Sequence, residues 1–390
     1  MRNGSDNEMD MKKDNPFIVF YGENRISPVH QNIKNINLHY LRREKLYRQL
    51  GIPAIIFNNR NILEVGPGGG YNSLAFFKWG ARMDFVEPNP KAQEEIYKIL
   101  EEHNIGKELW TLNKCKIEDF ETERKYDVVI AEGFIPGIYN RAEVIDKLTK
   151  HVNPGGVIVV TCIDDISFFF EQIKRLIAWR LIKNIDDFNA KVRILTKAFS
   201  SHLAKLKGAT RPVEDWVIDQ FLNPALNAEL FSIYDCINEF PPDFEYLGSS
   251  PSMFTDYSWY KDTGYDLKKS LLRQFRCKRH TLMMTEMEES MRSESENEEL
   301  FKNINDVRIL SKRYEIAFEK QCLVEIAELL RHIADVTKSI DIRIAEAINE
   351  AICLLNDDSL NEIKVACADK LACAFGKGQQ YVSMVKRFTE

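Results

Sequence analysis

The apolar positions of this chain fall into short runs separated by helical patterns. NILEV, residues 61–65, is a five-residue apolar run bounded by polar positions, which predicts a buried strand of a parallel sheet. YNSLAFFKWGA, residues 71–81, then places apolar side chains at helical spacing. Gly66-Pro67-Gly68-Gly69-Gly70 lies between them and reads as a strand-to-helix turn. The alternation continues along the chain. A second strand ends at Glu87, a helix covers 90–102, and a third strand runs to Ile117–Phe120. A fourth strand, in KYDVVIAEGFIPG, carries Glu132 at its carboxyl end; a helix covers 141–151, and a fifth strand follows the Asn153–Gly156 turn. Strands alternating with helices in this way predict an α/β fold with a doubly wound, Rossmann-like sheet. The expected order is a disordered leader at 1–15, an N-terminal lid and helix at 16–60, and a cofactor-binding core at 61–163.

After Cys162 the pattern changes. Residues 164–240 read as a basic helical insertion capping a substrate, and 241–285 as closing strands of the core, the last of them HTLMMTE at 280–286. EMEESMRSESENEE carries seven acids and one arginine and marks an acidic linker, residues 286–300. Beyond it, 301–390 reads as all-helical. Leu323, Ile326, Leu330, Ile333, Thr337, Ile340, Ile344, Ala347, Ala351 and Leu354 follow spacings of three and four. That seam fits either the core face of a long helix in a bundle or a coiled coil joining two copies.

Composition narrows the class. The chain has 390 residues with 44% hydrophobic ones and no apolar run of the roughly 20 residues a membrane-spanning helix needs. The N-terminus lacks the apolar stretch of a signal peptide, so a cytoplasmic chain is expected. Eight cysteines show no CxxC pair and no zinc-finger spacing, so no metal is expected. Charge changes the picture in one place. From Lys174 to Arg211 there are ten Lys/Arg against Asp186 and Asp187, in a chain of net charge -6. One-signed charge after the fifth strand, at the active edge of such a sheet, suggests a small-molecule or glycan-related acceptor that is anionic. IKRLIAWRLIK, residues 173–183, also has the composition of an interfacial helix, which leaves peripheral membrane contact as a rival. Nucleic acid is a less favoured partner, because no RNA-binding module is recognisable.

The chemistry sits at the carboxyl edge of the predicted sheet. A glycine turn there aims backbone N–H groups and a helix N-terminus at a ligand. Glu87, 21 residues after Gly66, stands where an acid binds ribose hydroxyls. A dinucleotide fingerprint fits less well, since its last glycine would fall on Tyr71. With Glu64-Val-Gly66-Pro-Gly68-Gly-Gly70, the acid Glu87 and the Asn153–Gly156 turn, residues 55–163 resemble the class I S-adenosylmethionine-dependent methyltransferases. The resemblance implies S-adenosylmethionine as cofactor. It implies that Glu64, Gly66, Pro67, Gly68 and Gly70 hold its methionine end and Glu87 its ribose. Ile117 and Glu118 would flank the adenine, and Glu132 would face the methyl group, as a base if the acceptor must lose a proton. The fourth motif, AEGFIPG, departs from the Asn-Pro-Pro-Tyr type, which argues against methylation of nucleic-acid amino groups. Tyr21, with Glu23, Asn24 and Arg25, is a candidate lid. Arg211, Trp216, Tyr257, Trp259 and Tyr260 are candidate acceptor contacts, the last three as a stacking wall. An aminopropyl transferase lacks support, since the paired aspartates for a polyamine are missing. The remaining alternatives are an RNA or protein methyltransferase and a non-catalytic scaffold of the same fold.

Overall fold

The computed structural model describes residues 16–24, 26–27, 30–227 and 229–388. In chain order the elements are α1 (Pro16–Asn24), α2 (Ile36–Gln49), β1 (Asn61–Val65), α3 (Ser73–Lys78), β2 (Arg82–Val86), α4 (Pro90–Glu102), β3 (Trp110–Asn113), β4 (Tyr126–Ala131), α5 (Arg141–Lys150) and β5 (Val152–Ile163). They continue with α6 (Asp165–Ile182), α7 (Phe188–Lys205), α8 (Val213–Val217), α9 (Ile233–Glu239), β6 (Phe244–Ser250) and α10 (Leu267–Lys278). The rest are α11 (Glu294–Ala317), α12 (Lys320–Thr337), α13 (Ile342–Asn356), α14 (Glu362–Ala366), α15 (Asp369–Cys373) and β7 (Gln379–Lys386). The chain divides into two compact units: one holds residues 1–163, 224–253 and 379–390, the other 164–223 and 254–378.

The first unit is a seven-stranded sheet in the order β3-β2-β1-β4-β5-β7-β6. Strands β1 to β5 pair in parallel, and β7 runs antiparallel to both β5 and β6. The order reverses beside β1, and ligands of such sheets bind at that switch point. Register places Glu64 beside Phe85 and Ile130, and Val65 beside Val86 and Ala131. The core packs Tyr47, Phe57, Phe76 and Phe85 around Ile62, Val128 and Ile130, all without solvent exposure.

Four expectations are corrected. The final strand is not 280–286: residues 279–282 form a buried 3-10 turn, and the sheet closes instead with β7. Leu282-Met283-Met284 is a short apolar run, and periodicity alone does not separate such a run from buried helix. The stretch 301–390 is therefore not all helical. Nor is 286–300 wholly a linker. Ser293 and Glu296 form a capping box, and Glu294 and Glu296 sit in the first turn of α11, where acids complement the helix dipole. The seam between Leu323 and Leu354 is not one helix. It breaks after α12, and Asp341 caps α13 by accepting the Arg343 N–H at 3.0 Å. Ile326, Leu330, Ile333, Ile344, Ala347 and Ala351 are buried inside the second unit, as in a bundle. Residues 1–15, the expected leader, lie outside the described residues. No helix among the described residues is long and apolar enough to cross a membrane.

Candidate active site

The site is built on the loops following β1, β2 and β4. Glu64 lies on β1, fully surrounded, and accepts the Ser73 hydroxyl at 2.6 Å. Burial pushes its carboxyl up to about 8. The turn after it holds Gly66, Gly68 and Gly70 at φ of 66°, 57° and 76°. Side chains rarely adopt this left-handed backbone, and a Cβ on Gly66 would stand 3.1 Å from the Phe134 ring. The Gly68 N–H donates to Glu87 Oε2 at 3.2 Å, and the Asn89 N–H to Glu87 Oε1 at 2.9 Å. Burial raises Glu87 to about 7, and these two bonds oppose the shift. Glu87 thus ties the glycine turn to the end of β2. Ile117 is buried in the turn Ile117–Asp119, and Glu118 accepts from Asn140 Nδ2 at 2.8 Å.

Glu132 follows β4 and is the most heavily engaged acid. Arg43 donates to both its oxygens, at 3.0 and 2.7 Å, as a bidentate fork. The Tyr47 hydroxyl adds a bond at 2.8 Å and Asn72 Nδ2 another at 3.3 Å. Arg43 and Tyr47 stand four residues apart on α2, hence on one helix face. The Tyr381 phenol of β7 is held up at about 12, by burial first and then by Glu132. His39 on the same helix approaches the Tyr71 carbonyl at 3.1 Å, and burial lowers its affinity for a proton.

The segment before α2 is tied to the same loops. Asn89 Nδ2 donates to the Ile26 carbonyl at 3.3 Å, Ser27 to Glu95 at 2.6 Å, and Gln31 Nε2 to Asn72 at 3.4 Å. Tyr21 is buried on α1 with the Phe17 and Phe20 rings 6.1 and 5.7 Å away. Arg25 lies outside the described residues.

The other acceptor candidates belong to the second unit and differ in exposure. Trp216 is buried in the core, its ring 5.0 Å from Phe221 and 6.2 Å from Phe375. Arg211 pairs with Asp219 at 2.8 Å. Tyr257, Trp259 and Tyr260 are instead 88%, 63% and 81% exposed on a loop. The basic insertion is also not the open charged face expected. Arg175 is buried and gripped by Glu315 and by the carbonyls of Gln220 and Asn223. Lys174 is buried over the Phe375 ring, donating to the Ala374 carbonyl. Arg180, Lys205, Lys207 and Arg211 face Asp358, Asp369, Glu286 and Asp219. Helix α6 buries Ile173, Leu176, Ile177, Ala178 and Ile182 within its unit, so the sequence read as an interfacial helix is core.

Sequence reasoning missed Arg43, Tyr47, Asn72, Ser73 and Tyr381. A signal existed for two of them: a cation and an aromatic at i and i+4 in the lead-in helix.

A glycine turn leaving the first strand, carboxylates at the ends of β1 and β2, and a sheet closed by an antiparallel seventh strand define one class. Residues 37–198 match the family model described as "Methyltransferase domain". The chain carries a class I S-adenosylmethionine-dependent methyltransferase domain. It is similar to a ubiquinone biosynthesis O-methyltransferase of Rickettsia akari, 26% identical over 36% of this chain and 50% of that protein. A protein of the same name from Rickettsia typhi is 27% identical over 39% of this chain and 54% of its own length. The chain thus spans about half the length of the curated relatives it matches. Among solved structures, PKMT2 from Rickettsia typhi in complex with AdoHcy is 18% identical, with a TM-score of 0.43 over 61% of this chain and 49% of that one. The glycopeptide N-methyltransferase MtfA complexed with S-adenosyl-L-methionine is 19% identical, with a TM-score of 0.25 over 27% of this chain and 48% of that one.

Proposed function

We propose that this protein transfers the methyl group of S-adenosylmethionine to an anionic small-molecule or glycan-related acceptor by in-line displacement. The residues fit the cofactor. Three glycines at positive φ keep the turn free of side chains, and Glu87 offers carboxylate oxygens at the end of β2. In this reading Glu64 and the Gly66–Gly70 turn hold the amino-acid end, Glu87 the ribose, and Ile117 with Glu118 the adenine. When bound, the cofactor supplies a methyl group on a sulfonium, already a good leaving group. The protein's share is then positioning and exclusion of water.

The observation that carries the acceptor class is the engagement of Glu132. Its two oxygens take four donors, and Glu64, Glu87 and Glu118 are likewise bonded. The four carboxylates assigned to this edge, Glu64, Glu87, Glu118 and Glu132, each have at least one oxygen engaged, which favours an acceptor that needs no base. An acceptor that is already an anion needs none. We therefore read Glu132 as a positioning group that holds Arg43 and Tyr47. The charge of the insertion, largely paired inside the second unit, no longer supports this class; the bonded carboxylates do.

Isothermal titration of the chain with S-adenosylmethionine tests the reading, beside Gly68→Arg and Glu87→Ala. Micromolar binding that both substitutions abolish is the expected result. A folded chain that binds no S-adenosylmethionine sinks the proposal and leaves the scaffold alternative.

A further inference from the structure

We propose that the groove between α11 and α12 docks a basic amphipathic helix of a partner protein. The groove, about 530 Å³, is floored by Ile309 and Leu310 of α11 and Leu329 of α12. Asp306, Glu325, Glu328 and His332 complete its lining. Ile309 is 45% exposed, and Val324, nearby on α12, is 52% exposed. Apolar side chains open to water along a groove between two helices are the usual seat of a third helix.

Charge selects the occupant. Several carboxylates elsewhere in this unit are ion-paired: Glu315 with Arg175, Asp164 with Arg279, Asp165 with Arg308, Asp369 with Lys205 and Asp357 with Lys364. Asp306, Glu325 and Glu328 have no Lys or Arg within ion-pairing distance among the described residues, and Glu325 accepts from the Gln321 amide at 3.1 Å. Lys302 and Arg331, each one turn from Asp306 or Glu328, are exposed and lie beyond ion-pairing distance of them, Arg313 pairs with Glu319, and His332 faces Glu299 at 3.5 Å. A nucleic acid or an anionic membrane is repelled by this lining. A wholly apolar helix would bury the carboxylates unpaired, which is costly. No described cluster of His, Cys, Asp or Glu has the arrangement to hold a metal ion. What remains is a helix with Leu-like side chains at i, i+3 and i+4 and Lys or Arg beside them. Glu325 and Glu328 stand one turn apart, so cations one turn apart on the partner reach both.

The test uses the full chain and a fluorescein-labelled 14-residue Leu/Lys amphipathic peptide, followed by anisotropy. A companion peptide keeps every Lys and replaces each Leu by Ala, which isolates plain charge attraction. The expected result is micromolar binding of the Leu/Lys peptide, with the Ala companion at least tenfold weaker. Glu325→Gln with Glu328→Gln, and separately Leu329→Ser, should each weaken it at least tenfold. Glu94→Gln with Glu101→Gln, on α4, should leave it unchanged. Circular dichroism melts verify folding; neutralising unpaired acids should leave the melting temperature equal or higher. Absent binding, equal binding of both peptides, or equal loss from the α4 pair overturns the proposal.

Discussion

The Arg43–Glu132 pair gives the sharpest test of how the site is held. Replace Arg43 by Met, which keeps most of the aliphatic volume and removes the guanidinium. Glu132 then keeps two neutral donors, the Tyr47 hydroxyl at 2.8 Å and Asn72 Nδ2 at 3.3 Å. It loses the two charge-assisted bonds at 3.0 and 2.7 Å. Breaking a buried ion pair from one side costs about 3–5 kcal/mol, because the remaining charge stays out of water. The surviving donors put this site near the lower end, about 3 kcal/mol. For a unit of this size, each kcal/mol shifts the melting temperature by about 2–4 °C, so the loss is about 6–12 °C. Adding Glu132→Gln removes the stranded charge and should recover at least half of that loss. Because the chain has two units, the readout must be local: hydrogen exchange of peptides spanning β1 and β4, during urea unfolding. Arg43→Met within 1 kcal/mol of the parent would refute the reasoning. So would a double variant that loses the sum of the two singles, since coupled partners are not additive.

Further outcomes follow from the same contacts. Glu64 holds its proton to about 8 in the fold and releases it near 4.5 when unfolded, so the folded state binds more protons between those values. Stability of the first unit without cofactor should fall as pH rises from about 4.5 to 8, and Glu64→Gln should flatten that slope in a melting series. Lys174 shows the opposite sign. Burial holds its ammonium well below the ordinary 10.5, against the opposing pull of the Glu171 carboxylate, so below 10.5 the unfolded chain binds more protons and stability of the second unit should rise as pH climbs toward that value. Lys174→Met should flatten that rise. Trp216→Ala should cost about 3–5 kcal/mol as a core truncation, whereas Trp259→Ala should stay within about 0.5 kcal/mol; equal effects in urea unfolding would contradict the packing described.

What the sequence revealed, and what it hid, follows the range of the interactions. The glycine turn and the Glu64 and Glu87 positions were readable because a strand, a turn and a helix start are decided within a dozen residues. Strand β7 was not, because its partner β5 lies more than 200 residues away and a helical unit intervenes. Arg43 looked like one cation among several on a polar helix, and its role depends on an acid 89 residues downstream. The insertion misled because charge was counted without partners. A better signal was present: α6 carries large apolar residues on every side, as a fully buried helix does, and its Lys174 and Arg175 had to be matched from within.

The place of β7 in the sheet sets an order of events during synthesis. Among the described residues strand β6 pairs with β7 and with no other strand, and β7 is made after all the others. Until it emerges, β5 offers an open edge and β6 has nothing to pair with. Such an edge is a template for other chains, and it stays open while the whole helical unit is translated. A ribosome stalled between the end of β5 and residue 379 would hold a nascent chain whose five parallel strands are made but whose sheet is unsealed, in need of a chaperone rather than of more time.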